Sequence, residues 1–397
     1  MMNKYLLPGL LICYSLMAQA QDTGHHEPCL TDALMDRYVA EHGPWGEIHT
    51  APGNPARGGG QVVIPVVVHV VWNQSYLNTP DGVINYVFNL LDQDFNMENT
   101  NGADVRAAFQ PVRGNPDIRF CLATVDPSGA PTTGITHTYT TASWFNPSTQ
   151  ADAMKMPPLG VSAWDPTRYV NIWVCDINGT TFAGNAGYSY LPVGTIPGSW
   201  RDGIVIDALT GFAPDDRSFT HEMGHYLGLK HPFDGNACSP GDGFSDTPPT
   251  NSATFSCSNT SLIKCGTLTQ YENFMDYAGC GAMFTLQQSA YMNSVLNGVR
   301  SSLLSAPPAC SLVGISENEP DVLRVFPNPT TGQVTVTRPT GSLASLRVVD
   351  SVGRTVHAEQ LSAATATINV GELASGYYSL IVEQASRTTS KPLMVIH

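Results

Sequence analysis

Residues 219–231 read FTHEMGHYLGLKH, and the reading of this stretch decides the fold. It carries His221, Glu222, His225, Gly228 and His231 at offsets that chance would give a chain of this composition roughly two times in a hundred thousand. On a helix turning about 100° per residue, His221 and His225 lie one turn apart on the same face. Two imidazoles so placed can chelate one Zn²⁺, which favours nitrogen ligands in tetrahedral geometry. Glu222 falls beside them, suited to hold a metal-bound water rather than the metal. A continuing helix would carry His231 to a different face. Gly228 answers this, because glycine reaches positive φ without strain and lets the chain turn. His231 can then come back as a third ligand. Three protein ligands leave a fourth position for water, the mark of a catalytic rather than a structural site.

Composition sets the frame around that stretch. At 397 residues, two or three domains are expected. Charged residues make up only 13%, with 36 glycines and 29 prolines, which suits a loop-rich extracellular chain. The net charge of −14 offers no basic stripe for phosphates and argues against nucleic acid. The opening MMNKYLLPGLLICYSLMAQAQ has Lys4, an apolar run to Met17, and small residues at Ala18 and Ala20. It reads as a secretory signal peptide over 1–20, too short to anchor in a bilayer. No later stretch is long and apolar enough to span one. Nine cysteines fit an exported chain, Cys13 leaving with the signal. Cys238, Cys257, Cys265 and Cys280 crowd the loop-rich stretch after the histidines, where two disulfides are expected in any of three pairings. Cys121 and Cys175 sit in apolar strand-like runs and read as buried thiols.

Residues 21–57 read as a polar pro-segment with one helical piece, TDALMDRYVAEHG, and Arg57 before three glycines as a maturation cut. QVVIPVVVHVVW (61–72) is a buried strand in which His69 reads as a satisfied core histidine. Residues 79–96 have helical spacing, with Val83, Tyr86, Val87, Leu90 and Leu91 on one face and Thr79 or Asp81 as cap. IRFCLATV, YVNIWVCDI, GYSYLP and GIVIDAL read as strands, and Ser218 or Asp216 as the cap of the histidine helix. From about 308 the texture changes. A linker over 308–318 leads to short strands at hairpin spacing over 319–397, a small all-β, Ig-like sandwich without a catalytic constellation.

HEMGHYLGLKH matches the metzincin signature HExxHxxGxxH, and ENFMDYAG (272–279) supplies the methionine turn that metzincins carry beneath the metal. IPVVVHVVW, IRFCLAT, WDPTRYVNIWVC and the DTP of 246–248 further resemble the pappalysin family. The resemblance covers roughly residues 60–300 and implies an α+β metzincin-type domain, read over 58–307. It implies a secreted zinc endopeptidase acting on extracellular proteins and peptides. His221, His225 and His231 would hold the catalytic zinc and Glu222 would be the general base. Met275 would form the floor, and Tyr277 would donate to the oxyanion or ligate zinc in the free enzyme. The resemblance also implies structural calcium near the loops after the zinc helix, and the pairings Cys238–Cys265 and Cys257–Cys280. The alternative is a catalytically weak zinc-containing surface adhesin, which predicts loss of Glu222 or of a ligand; neither is lost. FPNPTTG (326–332), DSVGR (350–354), ASGYYSLIV (374–382) and the closing Lys391 to Val395 resemble the sorting domain of type IX secretion. That implies contact with the type IX machinery and a secreted or cell-surface location beyond the periplasm and outer membrane. The other reading of this sandwich is a carbohydrate- or protein-binding module.

Two expectations concern regulation and specificity. Relatives carry a pro-segment cysteine followed by Gly-Thr, and Cys29 stands in the corresponding place with Leu30 in place of the glycine. As a thiolate Cys29 is a candidate zymogen switch that fills the open zinc position; steric cover or a carboxylate such as Asp32 is the alternative. Ulilysin-like members prefer a basic residue after the cut bond, which needs a carboxylate in that pocket, built largely from the stretch after the methionine turn. No Asp or Glu occurs between Asp276 and Arg300. An apolar or small residue is therefore expected there, unless Asp234, Asp242 or Asp246 reaches in.

Overall fold

The structure, a computed structural model, describes residues 29–44, 46–48, 50, 62–179, 184–212, 216–239 and 241–305. It further describes 323–326, 328, 330–338, 343–350, 354–374, 376–384 and 387–395. The signal peptide read over 1–20, the cut read at Arg57 and the linker read over 308–318 lie outside the described residues.

Helix α1 (Thr31–His42) comes first, then strand β1 (Val62–Trp72) and helix α2 (Asp81–Asp94). Strands β2 (Arg113–Gly114), β3 (Ile118–Leu122) and β4 (Ile135–Tyr139) follow, then the single turn α3 (Pro147–Gln150). Next come β5 (Val170–Cys175), β6 (Gly187–Ser189), β7 (Ile204–Asp207) and helix α4 (Ser218–Tyr226). The lower part holds β8 (Ile263–Lys264), β9 (Thr267–Leu268), β10 (Phe284–Thr285), α5 (Leu286–Asn297) and α6 (Ser301–Ser305).

The main sheet runs β3–β1–β5–β7–β6, with β4 also pairing β1. All its pairs are parallel except β6 against β7, so β6 closes the sheet as an antiparallel edge. The valine run of β1 suits the centre of such a sheet, where both faces are covered. Val66, Val68 and Val70 face the core shared with α2, α4 and α5, while Val71 joins Trp173 and Cys175 on the other side. This alternation is the period of two expected of a strand.

Some sequence expectations are corrected. The buried stripe of α2 is Val83, Ile84, Val87, Phe88 and Leu91, with Tyr86 and Leu90 only partly covered. Both stripes satisfy helical spacing; burying Ile84 and Phe88 leaves the polar end of Tyr86 at the margin. The cap of α2 is Pro80, without a side-chain bond, rather than Thr79 or Asp81. Arg217 is the cap residue of α4, and the Asp216 carboxylate accepts the Ser218 N–H at 2.7 Å. Cys121 is disulfide-bonded, with a partner outside the described residues, not a free buried thiol. A cysteine in an apolar strand looks alike in sequence whether or not a second one approaches it. Strand β4, the short pairs β2–β10 and β8–β9, and helix α5 had no clear signal, since their periods are too short or too polar to register.

Below the sheet, the disulfides Cys238–Cys265 and Cys257–Cys280 tie together a stretch with little regular structure. The C-terminal part forms β11 (Arg324–Phe326), β12 (Gln333–Thr337), β13 (Ala344–Val349), β14 (Thr355–Leu361), β15 (Thr365–Asn369), β16 (Gly376–Gln384) and β17 (Arg387–Val395). They make sheets β11–β12–β15 and β14–β13–β16–β17 around a core including Val334, Val336, Leu346, Ile368 and Leu393. No helix of the described residues is long and apolar enough to cross a membrane.

His69 is fully buried in β1, its Nδ1 bonded to the Thr136 hydroxyl at 2.8 Å and its Nε2 to Asn171 Oδ1 at 3.1 Å. Burial holds its pKa down at about 4, against an upward pull from the Asn171 bond. The unfolded chain protonates this histidine below pH ~6.5 while the folded chain stays neutral to about 4, so stability falls as pH drops through that window. At about 1.4 kcal/mol per unit, the loss by pH ~5 is roughly 2 kcal/mol. His69→Gln is expected to lack that component when urea unfolding at pH ~7 and ~5 is compared with the unmodified chain. An equal pH dependence in both proteins would remove His69 from the acid limb.

Candidate metal centre and cleft

Every residue of α4 is buried, which suits a helix wedged under a sheet. At its N-terminal end Asp94 of α2 accepts from the Thr220 hydroxyl at 2.7 Å and pairs with Arg217 at 2.9 Å. Burial raises the Asp94 carboxyl to about 7 in spite of the Arg217 charge. At its other end Gly228 takes φ +92°, and the Gly228 N–H bonds back to the His225 carbonyl at 2.8 Å. That turn reverses the chain and brings His231 to the two helical histidines.

The three Nε2 atoms of His221, His225 and His231 lie 3.1 Å from one another in each pair. Their Nδ1 atoms are all engaged by acceptors: the Phe274 carbonyl at 2.7 Å, the Leu229 carbonyl at 2.7 Å and Asp32 Oδ2 at 2.9 Å. Each Nδ1 therefore carries the proton, and three Nε2 lone pairs face one point. Burial holds the His225 pKa down at about 3, so the ring stays neutral. Three bare lone pairs at this spacing repel unless a cation sits among them. The separation is close to the edge, ~3.3 Å, of a tetrahedron with nitrogen corners ~2.0 Å from its centre. The donor set and its spacing fit zinc. The Cys29 Sγ belongs to the same cluster, whose four ligand atoms all lie within 4.8 Å of one another.

Glu222 is buried beside the histidines, its carboxyl raised by burial to about 8 against hydrogen bonds from Cys29 and Thr31. Met275 is fully buried under α4, and a Cβ on Gly224 would stand 2.4 Å from its sulfur. Gly224 is thus a requirement of the methionine turn, written in HEMGH but not read there. Asn273 holds the turn: its Oδ1 accepts the Met275 N–H at 3.0 Å, and its amide donates to Gln288 of α5 at 2.9 Å. Tyr277 lies 5.1 Å from the His231 ring and donates its hydroxyl to the Cys29 carbonyl at 3.2 Å. Phe233, which sequence reasoning passed over, stacks on His231 at 4.8 Å and 8°.

Residues 29–42 run through the cleft. Cys29 pairs with Gly187 in parallel, and the Leu30 N–H donates to the Gly187 carbonyl at 3.0 Å. Strand β6, the edge of the sheet, is therefore the strand that meets residues 29–30; β7 is interior. The Thr31 hydroxyl accepts from the Ser189 N–H at 3.0 Å and meets Glu222 Oε2 at 3.3 Å. Leu34, Met35 and Tyr38 of α1 are buried against Tyr188, Tyr190 and Leu191. Thr31 had no signal in the sequence, because its partners are more than 150 positions away.

The loop aspartates are engaged locally. Asp234 pairs with Lys230 at 2.8 Å. Asp242 accepts from Thr247 at 2.6 Å and from the Phe244 N–H, and Asp246 accepts from Thr285 and the Gln287 N–H. Among the described residues, the histidine–cysteine cluster is the one group of such side chains gathered as for a metal ion.

A three-histidine centre on a helix and its return turn, floored by a methionine turn and flanked by an edge strand, is that of a metzincin zinc metalloprotease. Residues 158–297 match the peptidase family model described as pregnancy-associated plasma protein-A, and residues 324–396 match the secretion system C-terminal sorting domain. Mature mirolysin of Tannerella forsythia, solved with a cleaved peptide, is 34% identical, with 62% of this chain and 96% of that chain covered and a TM-score of 0.57. A promirolysin mutant from the same organism is 33% identical, covering 62% and 85%, with a TM-score of 0.58. Extracellular metalloprotease 1 of Coccidioides posadasii is 36% identical over 124 residues, 28% of this chain and 45% of that protein. The chain thus spans less than half of that curated relative. It belongs to the pappalysin family, with a C-terminal sorting domain of the secretion-system type.

Proposed function

We propose that the chain is a secreted or cell-surface zinc endopeptidase, made as a latent precursor, that cuts extracellular proteins or peptides. The observation that carries this reading is the trio of Nε2 atoms 3.1 Å apart, beside Glu222 and the edge strand β6. His221, His225 and His231 hold the metal. Bound zinc makes a water acidic enough to attack a peptide carbonyl at neutral pH. Glu222 takes the proton of the attacking water and passes it to the leaving amine. Tyr277 donates its hydroxyl to the oxygen of the attacked carbonyl; its bond to the Cys29 carbonyl supports that role, with the pro-segment in the position of a substrate. β6 binds the substrate backbone by strand addition, and Met275 forms the floor.

Latency follows from the same contacts. The Cys29 sulfur sits among the ligand atoms, Thr31 occupies Glu222, and Tyr277 is spent on a pro-segment carbonyl. The division into a pro-segment to residue 57, a catalytic part over 58–307 and a sorting part over 319–397 belongs to this proposal. So does contact of the C-terminal sandwich with the type IX secretion machinery. Structural calcium is part of the family expectation, and nothing in the loop aspartates supports it here.

Glu222→Ala is expected to lower peptide cleavage by at least 10²-fold while zinc stays near one per chain, since general-base roles contribute about 10²–10⁴-fold. Retention of more than about a tenth of the activity would end the general-base assignment. A Cys29→Ala precursor is expected to cleave peptide faster than the unmodified precursor; equal inactivity removes the thiol from latency. For specificity, the post-turn stretch lacks acids and Asp234, Asp242 and Asp246 are already bonded, which supports a pocket for an apolar or small residue after the scissile bond. Cleavage of a peptide library should enrich such residues there, and strong enrichment of Arg or Lys sinks that reading.

A further inference from the structure

The outer contacts of the three imidazoles come from two sources. His221 and His225 donate their Nδ1–H to the carbonyls of Phe274 and Leu229, which belong to the protease part. His231 donates to Asp32 Oδ2 at 2.9 Å, a carboxylate in the first turn of α1, within the segment read as the pro-segment. We propose that Asp32 is a positioning residue for the metal: the pro-segment completes the outer shell of the zinc site, and the precursor is the metal-loading form of the protein. The proposal rests on the zinc reading above.

The physics lies in what an acceptor on Nδ1 does. It fixes the tautomer that leaves the lone pair on Nε2, holds the ring in plane, and makes Nε2 more basic, an anion more so than a carbonyl. His231 needs this most. It stands on the turn after Gly228 rather than on the rigid helix, and stacking on Phe233 orients its ring without favouring either tautomer. The Asp32 side chain is 53% exposed, so it keeps part of its hydration and costs little to hold there. The chain before it is held by the Leu30 N–H on the Gly187 carbonyl and by the Thr31 hydroxyl, which accepts from the Ser189 N–H. Asp32 acts on the nitrogen opposite the metal, whereas the Cys29 sulfur lies among the ligand atoms themselves, so the two contributions separate by mutation. Release of the pro-segment then removes both, and the mature site holds zinc less tightly than the site in which the metal was acquired.

The test uses the full chain carrying Glu222→Gln, which prevents self-cleavage, with Zn²⁺ alone as probe in competition with a chromophoric chelator. Asp32→Ala is expected to weaken zinc binding about 10-fold or more, the lower end of the effect of losing an outer-shell partner. Asp32→Asn should fall between, because its amide oxygen accepts the same hydrogen bond without the charge. Alkylation of Cys29, followed in parallel, reports whether the segment stays docked. If Asp32→Ala exposes the thiol, the comparison is repeated in a Cys29→Ala background, where the sulfur contributes nothing. A loss there upholds the role of Asp32 and equal affinity overturns it. A parent chain that takes up no zinc would overturn the zinc reading itself. A parent with one zinc and an unchanged affinity in Asp32→Ala overturns the present inference alone.

Discussion

Three hydrogen bonds on the far sides of three imidazoles govern this molecule. By taking the Nδ1 protons, the acceptors at Phe274, Leu229 and Asp32 force the Nε2 lone pairs inward, 3.1 Å apart in a buried pocket. An arrangement of that kind is unfavourable by itself, since lone pairs repel and burial removes the water that would otherwise satisfy them. It is tolerable as a metal site and as little else. The scaffold must therefore be stiff enough to hold the rings against one another until the cation arrives.

That stiffness comes from both sides of α4. Above, Asp94 fixes the helix start through Thr220 and Arg217, and α2, β6 and β7 pack against the helix. Below, the methionine turn closes on Gly224, held by Asn273 and Gln288. The same turn presents the Phe274 carbonyl to His221 and the Tyr277 ring to His231, so the floor orients the ligands as well as burying them. Two disulfides supply order where the lower part has few long elements.

Residues 29–42 lie along the cleft, with Cys29 bridged to the edge strand β6 and Leu34, Met35 and Tyr38 packed with Tyr188, Tyr190 and Leu191. Three polar contacts reach the site: Cys29 joins the histidine cluster, Thr31 meets Glu222 and Asp32 meets His231. In the proposed reading, inhibition and assembly of the metal centre draw on neighbouring residues of one short turn.

By itself the sequence determined that His221, Glu222, His225 and His231 share one site, because local helical geometry and one glycine turn relate them within a few residues of each other. It also determined strands β1, β3, β5, β6 and β7 of the main sheet and the C-terminal sandwich, whose periods are strong. Which face of α2 is buried, which strand forms the edge and whether Cys121 is paired were decided only by the tertiary structure. The contacts of Thr31 and Asp32 with Glu222 and His231 belong to the same group. Each depends on partners far along the chain: Asp32 lies 199 positions from His231 and Thr31 lies 191 from Glu222. Side chains so far apart leave no periodic mark on either segment, and packing alone brings them together.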